Sequence, residues 1–128
     1  MTAAPGQTLS TDIAPVLLAT DQAVPLALLV NELVTNAFKY AYPASGGEVR
    51  LSIEPSQPGH LRLTVCDGGP GLPPDFDADN AESLGMKLIA SLGHQLGGQP
   101  DWQDAHPGTR FVLEFLVQER STLQLRGG

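Results

Sequence analysis

A change in the spacing of apolar residues is the feature that most limits how this chain can fold. Between about residues 23 and 41 they recur every three or four positions, at Leu26, Leu29, Val30, Leu33, Val34, Ala37 and Phe38. This spacing predicts an amphipathic helix over residues 23–41, with Asp21 as its N-cap and Pro25 in its first turn. Pro43 and the Ser45-Gly46-Gly47 cluster would end the helix.

Beyond this helix the apolar period falls to two, which is typical of strands with one buried face. Alternation over residues 49–54 and 61–65 predicts a strand pair. Residues 99–103 and 109–117 predict a second hairpin, which turns at His106-Pro107-Gly108.

The remaining elements complete an α/β arrangement. A second helix is predicted over residues 84–96 and stops at Gly97-Gly98; its leucines fall at i, i+4 spacing, at Leu84, Leu88, Leu92 and Leu96. Thr8–Ile13 and Pro15–Ala19 are interpreted as two short strands or a hairpin edge. Helices with one apolar face need a sheet to cover, so we expect a two-layer α/β sandwich. Its sheet is expected to be mixed and mostly antiparallel, with helices on one face.

Composition narrows the classes of protein that this chain can represent. Its 128 residues suit one domain, with a core over about 8–117 and a tail over 118–128. The formal charge of −7 argues against non-specific nucleic-acid binding. A single cysteine excludes an internal disulfide framework, and no apolar run is long enough to span a membrane. We therefore expect a cytoplasmic domain without membrane contact.

Polar residues interrupt the first helix on one narrow arc. Glu32, Asn36 and Lys39 are spaced i, i+4, i+7 and lie beside the apolar stripe, with Tyr40 at the edge of the arc. Carboxylate and amide oxygens can ligate Mg²⁺, and an ammonium group can meet phosphate charge. The alternative is an ordinary solvated helix face.

A glycine-rich turn follows the second strand of the first pair, at Asp67-Gly68-Gly69-Pro70-Gly71. Its glycines would let the backbone approach a ligand closely. The ionised Asp67 carboxylate only accepts hydrogen bonds, so it could recognise an exocyclic amine. The alternative is a turn with no ligand.

Two further segments carry weaker signals. Ser83-Leu84-Gly85-Met86-Lys87 opens the second helix, where free N–H groups and the helix dipole favour anions. The alternative there is simple capping by Ser83. Gly108-Thr109-Arg110-Phe111 is a glycine turn that enters the last strand. Trp102 is expected only to pack.

Taken in order, these motifs resemble the GHKL ATP-binding superfamily, which includes gyrase-type, chaperone and mismatch-repair ATPases and sensor histidine kinases. The stretch Asn31–Ala41, NELVTNAFKYA, is most similar to the sensor histidine kinases of the branch related to HWE-type enzymes. The resemblance runs from about Thr8 to Val117 and implies a Bergerat-type ATP-binding fold. ATP and Mg²⁺ are the implied cofactors.

The resemblance also implies roles for the helix residues. Asn36 would be a magnesium ligand, and Glu32 would position the metal or a water. Lys39 would contact phosphate; Glu32 and Lys39 are the implied catalytic residues. Tyr40 would form a wall of the adenine or ribose site.

Further roles are implied for the turns. Asp67 would accept a hydrogen bond from the adenine amino group, and Thr109 would meet adenine through water. Gly69 and Gly71 would allow close backbone approach to the nucleotide. Residues 72–82 would form a short ATP lid. N–H groups would hold the phosphates at Ser83, Leu84 and Gly85.

The partners implied by the resemblance lie outside this chain. A sensor histidine kinase transfers phosphate to a histidine on a dimerisation helix and then to a response regulator. His60, His94 and His106 lie in turns or on a solvated helix side, so none is expected to be the acceptor. Two alternatives stay open, a stand-alone anti-sigma-factor serine kinase and a non-catalytic nucleotide-binding adaptor.

Overall fold

The computed structural model describes residues 6–42, 46–71 and 84–118. In chain order its elements are β1 (Gln7–Ile13), α1 (Thr20–Ala41), β2 (Gly47–Pro55), β3 (His60–Asp67), α2 (Leu84–Gln95), β4 (Asp101–Asp104) and β5 (Thr109–Leu116). Every helix and strand of the predicted core is therefore present, except a strand at Pro15–Ala19.

The described strands form one mixed sheet in the order β1-β2-β3-β5-β4. β1 runs parallel to β2, and the other neighbours are antiparallel. Alternate residues of β2, β3 and β5 are buried with apolar residues of both helices, among them Leu63, Leu113, Leu29 and Ile89. Both helices therefore cover one face, and the predicted two-layer sandwich is confirmed.

The first helix begins earlier than its sequence suggests. The carbonyl of Ala19 accepts the N–H groups of Gln22 and Ala23 at 3.0 and 2.9 Å, so Ala19 is the N-cap and makes no side-chain cap. The prediction of Asp21 as N-cap is wrong because Asp21 already lies inside the first helical turn, which the carbonyl of Ala19 closes. Pro25 lies inside the helix, beyond the first turn, and is buried. Residues 15–19, where a second short strand was expected, lie directly before the helix and form no strand.

A buried polar side chain ties the start of α1 to the end of β5. Gln22 is 1% exposed. Its Nε2 donates to the carbonyl of Leu116 at 2.9 Å, and its Oε1 accepts the N–H of Gln118 at 2.9 Å. Both ends of the amide are satisfied, which is what makes its burial acceptable.

The second helix buries a different face from the leucine row that predicted it. Leu84 is 81% exposed and Leu88 41% exposed, whereas Leu92 and Leu96 are buried. Each i, i+4 step turns by about 40° around a helix, so the first and last leucines of the row lie roughly 120° apart. Ile89 completes the buried face instead. The helix ends as predicted, at a glycine: Gly97 has φ +83°.

Within the described ranges, neither helix combines the length and the apolar character that a bilayer crossing requires.

Candidate functional site

A cavity of about 400 Å³ opens between α1, the start of α2 and the strands β3, β4 and β5. Its lining is mostly apolar, with Asn36, Asp67 and Thr109 as polar exceptions. The lining residues are Leu33, Asn36, Ala37, Tyr40, Ala41, Val65, Asp67, Pro70, Gly71, Met86, Trp102, Thr109 and Phe111. A concave, apolar pocket with a few placed polar groups is the usual form of a small-molecule site.

Asp67 is the acidic residue of the cavity wall and lies at the end of β3. Its Oδ1 accepts the backbone N–H groups of Gly69 at 2.9 Å and Thr109 at 3.3 Å. No described residue donates a hydrogen bond to its Oδ2. One carboxylate oxygen is thus fixed by the backbone, while the other remains an acceptor for a ligand donor.

The turn after Asp67 depends on the absence of side chains. A Cβ at Gly69 would lie 2.6 Å from the Cβ of Ala41 at the end of α1, closer than real Cβ atoms pack. Gly71 lines the cavity with φ +87°, a conformation that favours glycine. The turn therefore rests directly on the helix, and close approach of Gly69 and Gly71 to a nucleotide stays a prediction.

The polar arc of α1 faces the beginning of α2. A Cβ at Gly85 would lie 2.7 Å from Glu32 Oε2 and 3.3 Å from Asn36 Nδ2. Both polar side chains are half-buried, and Asn36 also lines the cavity. Glycine at position 85 therefore lets the two helices approach around a carboxylate and an amide, which places three predicted site residues together.

Lys39 and Tyr40 lie at the more exposed end of the same helix. Tyr40 lines the cavity, with 61% of its surface exposed, and its role as a wall of the adenine or ribose site stays a prediction. The Nζ of Lys39 lies 5.2 Å from the centroid of the Tyr40 ring, and the residue is not part of the cavity lining. A phosphate contact by Lys39 stays a prediction.

The expected phosphate end of the site is only partly described. Leu84 and Gly85 are the first two residues of α2, where N–H groups lack helical partners. Ser83 and the expected lid, residues 72–82, lie outside the described residues. Phosphate binding through these N–H groups stays a prediction.

The donor set suits a hard cation that is held together with a ligand. No group of three or more His, Cys, Asp or Glu comes together in the part of the chain that the structure describes. Glu32 and Asn36 each carry a side-chain oxygen, one helical turn apart; Glu32 Oε2 and the amide nitrogen Nδ2 of Asn36 lie beside Gly85. Mg²⁺ is commonly bound by one or two protein groups together with substrate phosphates and waters, so the residues fit it.

Trp102 and Met86 are cavity residues that the sequence analysis missed. Trp102 contacts Phe111 edge to face, with ring centroids 4.9 Å apart and planes at 72°. It pairs with Phe111 across the β4–β5 register, so the two residues share a face of the sheet. The hairpin register could have revealed this, because Phe111 belongs to the buried alternation of β5. The expectation that Trp102 only packs is therefore incomplete.

Comparison with curated proteins gives relatives that are named as histidine kinases. The chain is 32% identical over 111 residues to the sensor histidine kinase PdtaS of Mycobacterium tuberculosis, which covers 84% of this chain and 22% of PdtaS. It is 31% identical over 99 residues to the blue-light-activated histidine kinase 2 of Erythrobacter litoralis, covering 77% of this chain and 29% of that protein. The chain thus spans less than a third of each relative's length.

Solved structures agree in fold. The histidine kinase domain of a blue-light-activated histidine kinase from Erythrobacter litoralis superposes with a TM-score of 0.82 at 27% identity. That match covers 94% of this chain and 56% of the other. The mycobacterial sensor histidine kinase MprB has the same fold, with a TM-score of 0.70 at 24% identity.

A family profile decides the assignment and confirms the resemblance drawn from the motifs. It describes histidine kinase-, DNA gyrase B- and HSP90-like ATPases, and it matches residues 21–119, from the first turn of α1 to beyond β5. The matched range contains Glu32, Asn36, Asp67, Gly85 and Thr109. This chain therefore belongs to the histidine kinase-, DNA gyrase B- and HSP90-like ATPase family.

Proposed function

We propose that this chain is the ATP-binding catalytic domain of a sensor histidine kinase, which donates the γ-phosphate of Mg-ATP to a histidine on a separate dimerisation helix. A response regulator would then receive the phosphate. The relatives named above are histidine kinases, which favours this reaction over phosphorylation of a partner serine.

The observation that carries the proposal is the environment of Asp67. A carboxylate oxygen free of described partners lies at the wall of a cavity that is otherwise mostly apolar. A purine base with an exocyclic amine matches this arrangement, because its faces are apolar and its edge donates a hydrogen bond. Guanine also carries such an amine, and the match to an ATPase family favours adenine, which we expect to bind with its amino group toward Asp67.

The triphosphate would extend from the base toward the facing ends of the two helices. Glu32 and Asn36 would hold Mg²⁺, which when bound offsets charge on the phosphate oxygens. The N–H groups at Leu84 and Gly85 would hold phosphate oxygens through hydrogen bonds and the helix dipole. These residues position the γ-phosphate, and positioning with charge stabilisation supplies most of the catalysis in phosphoryl transfer.

The acceptor is proposed to lie outside residues 1–128. His60 is half-buried at the start of β3, His94 is exposed on α2, and His106 is exposed between β4 and β5. None of the three lines the cavity. A histidine presented by another helical segment would have to reach the γ-phosphate.

Two measurements test the proposal. Calorimetry with Mg-ATP should give saturable binding to the purified chain, at one site, with GTP binding more weakly. Addition of a histidine-bearing dimerisation segment from one of the named relatives, together with γ-labelled ATP, should yield acid-labile phosphate on that segment. Binding without such transfer would favour the adaptor alternative, and acid-stable phosphoserine on a partner would favour the serine kinase.

A further inference from the structure

The phenol of Tyr42 connects the turn that follows β3 to the neighbouring strand. Tyr42 comes directly after α1. Its hydroxyl accepts the N–H of Gly68 at 2.7 Å and donates to the carbonyl of Glu48 in β2 at 3.0 Å. A single side-chain oxygen therefore spans the end of β3 and the beginning of β2, next to the Val49–Asp67 pair of the register.

Both the ring and the backbone of Tyr42 are held in place, so its hydroxyl has a fixed position. Gly47 stacks against the ring so closely that a Cβ there would overlap the ring carbons. The backbone carbonyl of Tyr42 accepts a hydrogen bond from Gln7 Nε2 at 3.1 Å. Because both ring and backbone are constrained, the hydroxyl can restrain the orientation of the backbone group to which it is hydrogen-bonded.

The Tyr42 hydroxyl is hydrogen-bonded to the peptide unit that follows Asp67. The N–H of Gly68 belongs to the peptide that joins it to Asp67, so fixing this N–H restrains the ψ angle of Asp67. The next peptide unit carries the N–H of Gly69, which donates to Asp67 Oδ1 at 2.9 Å. The direction of the carboxylate thus depends on the phenol through two consecutive peptide units.

We infer that Tyr42 is a positioning residue for Asp67, and that its hydroxyl sets the direction in which the free carboxylate oxygen meets the base. The inference rests on the proposed ATP-binding function. Tyr42 lies outside the lining of the nucleotide cavity, so its effect on a ligand has to pass through the turn.

Removal of the hydroxyl should affect nucleotide affinity more than stability. In Tyr42→Phe the ring can still pack against Gly47. Gly68 is exposed, so water can take over the lost hydrogen bond, but water does not fix the peptide plane. We expect the Kd for Mg-ATP to rise about three- to tenfold, the equivalent of one lost hydrogen bond, with little change in melting temperature.

A double-mutant cycle separates positioning from packing. Kd values for Mg-ATP are measured by calorimetry for the wild type, Tyr42→Phe, Asp67→Asn and the double variant. If Tyr42 acts through Asp67, the loss caused by Tyr42→Phe should largely vanish in the Asp67→Asn background. Ser52→Ala, which removes a hydroxyl from β2 away from the cavity, is the matched control and should leave the Kd unchanged. An equal loss in both backgrounds would overturn the inference.

Amide exchange tests the same point without nucleotide. The N–H groups of Gly69 and Thr109 both donate to Asp67 Oδ1, so their protection reports on the carboxylate. Tyr42→Phe should accelerate their exchange, while amides in the middle of β5 keep theirs. Unchanged protection at both positions would overturn the inference whatever the nucleotide affinity. Faster exchange in a chain whose wild type does not bind Mg-ATP would refute the proposed function and leave the positioning of Asp67 standing.

Discussion

Replacement of Asp67 by asparagine separates the two tasks of its carboxylate. Oδ1 accepts two backbone N–H groups, from Gly69 and Thr109, and an amide oxygen can continue to do so. Oδ2, which has no described partner, would become an NH₂ group that only donates. The variant should therefore stay folded while it loses the acceptor that faces the base.

The size of the affinity loss follows from the bond that is removed. A hydrogen bond to a charged acceptor contributes about 1.5–3 kcal/mol. Since each 1.4 kcal/mol is about a tenfold change, the Kd for Mg-ATP should rise by about 10- to 150-fold in Asp67→Asn. The free energy of unfolding should change by less than about 1 kcal/mol, because the backbone partners of Oδ1 are kept. Asp67→Ala should lose affinity as well, and about 1–3 kcal/mol of stability, because it orphans those N–H groups.

Calorimetry with two nucleotides makes the test specific. Inosine triphosphate carries an acceptor where ATP carries the amine, so the Asp67→Asn amide should favour it relative to the wild-type carboxylate. Trp102 is the single tryptophan and lines the cavity, so quenching of its fluorescence gives a second measurement of nucleotide binding in the same titrations. An unchanged Kd for ATP in a folded Asp67→Asn chain, with no shift toward inosine triphosphate, would refute the assignment of Asp67 to the base.

Three further predictions concern the metal, the reaction and the fold. Asn36→Ala should weaken Mg-ATP binding more than metal-free ATP binding, and titrations with and without magnesium decide this; equal losses would make Asn36 structural. The purified chain should retain no label after incubation with γ-labelled ATP, since no histidine lines the cavity; stable label on one of its histidines would contradict the proposed external acceptor. Gln22→Leu should lower the free energy of unfolding by about 1–2 kcal/mol in denaturant titrations, because the carbonyl of Leu116 and the N–H of Gln118 lose their partner. The exposed Gln57→Leu is its control, and equal effects of the two would argue against a special role of Gln22.

Periodicity and glycine placement predicted most of the fold because they report burial directly. The alternation of Val49, Leu51 and Ile53 follows from one buried sheet face, and these residues are buried. The leucine row of α2 misled at Leu84 because a four-residue spacing drifts around the helix axis. The start of α1 was missed because its cap is a backbone carbonyl, which leaves no residue type to recognise.

The candidate site was predictable where a motif lies within one element and not where contacts join distant segments. Glu32 and Asn36 share a helix face, so their spacing alone places them together. The approach of Gly85 to that face depends on how α2 packs on α1, which no local pattern encodes. The hydroxyl of Tyr42 reaches Gly68 across 26 positions, and a single tyrosine after a helix gives no sign of it.

The exposed edge strand β1 should open locally more easily than the centre of the sheet. Thr8–Ile13 are exposed along their length, and Leu9 and Ile13 retain 41% and 53% of their surface in water. Detachment of β1 would therefore expose little new apolar surface and break its pairing with β2, the one described strand beside it, together with the bond from Gln7 Nε2 to the carbonyl of Tyr42. Native-state hydrogen exchange should find the β1 amides opening at a lower free energy than those of the central strand β3. No residue of β1 lines the cavity, and its walls from α1, β4 and β5 would stay in place. The β1 amides can therefore exchange with solvent while these cavity walls remain folded.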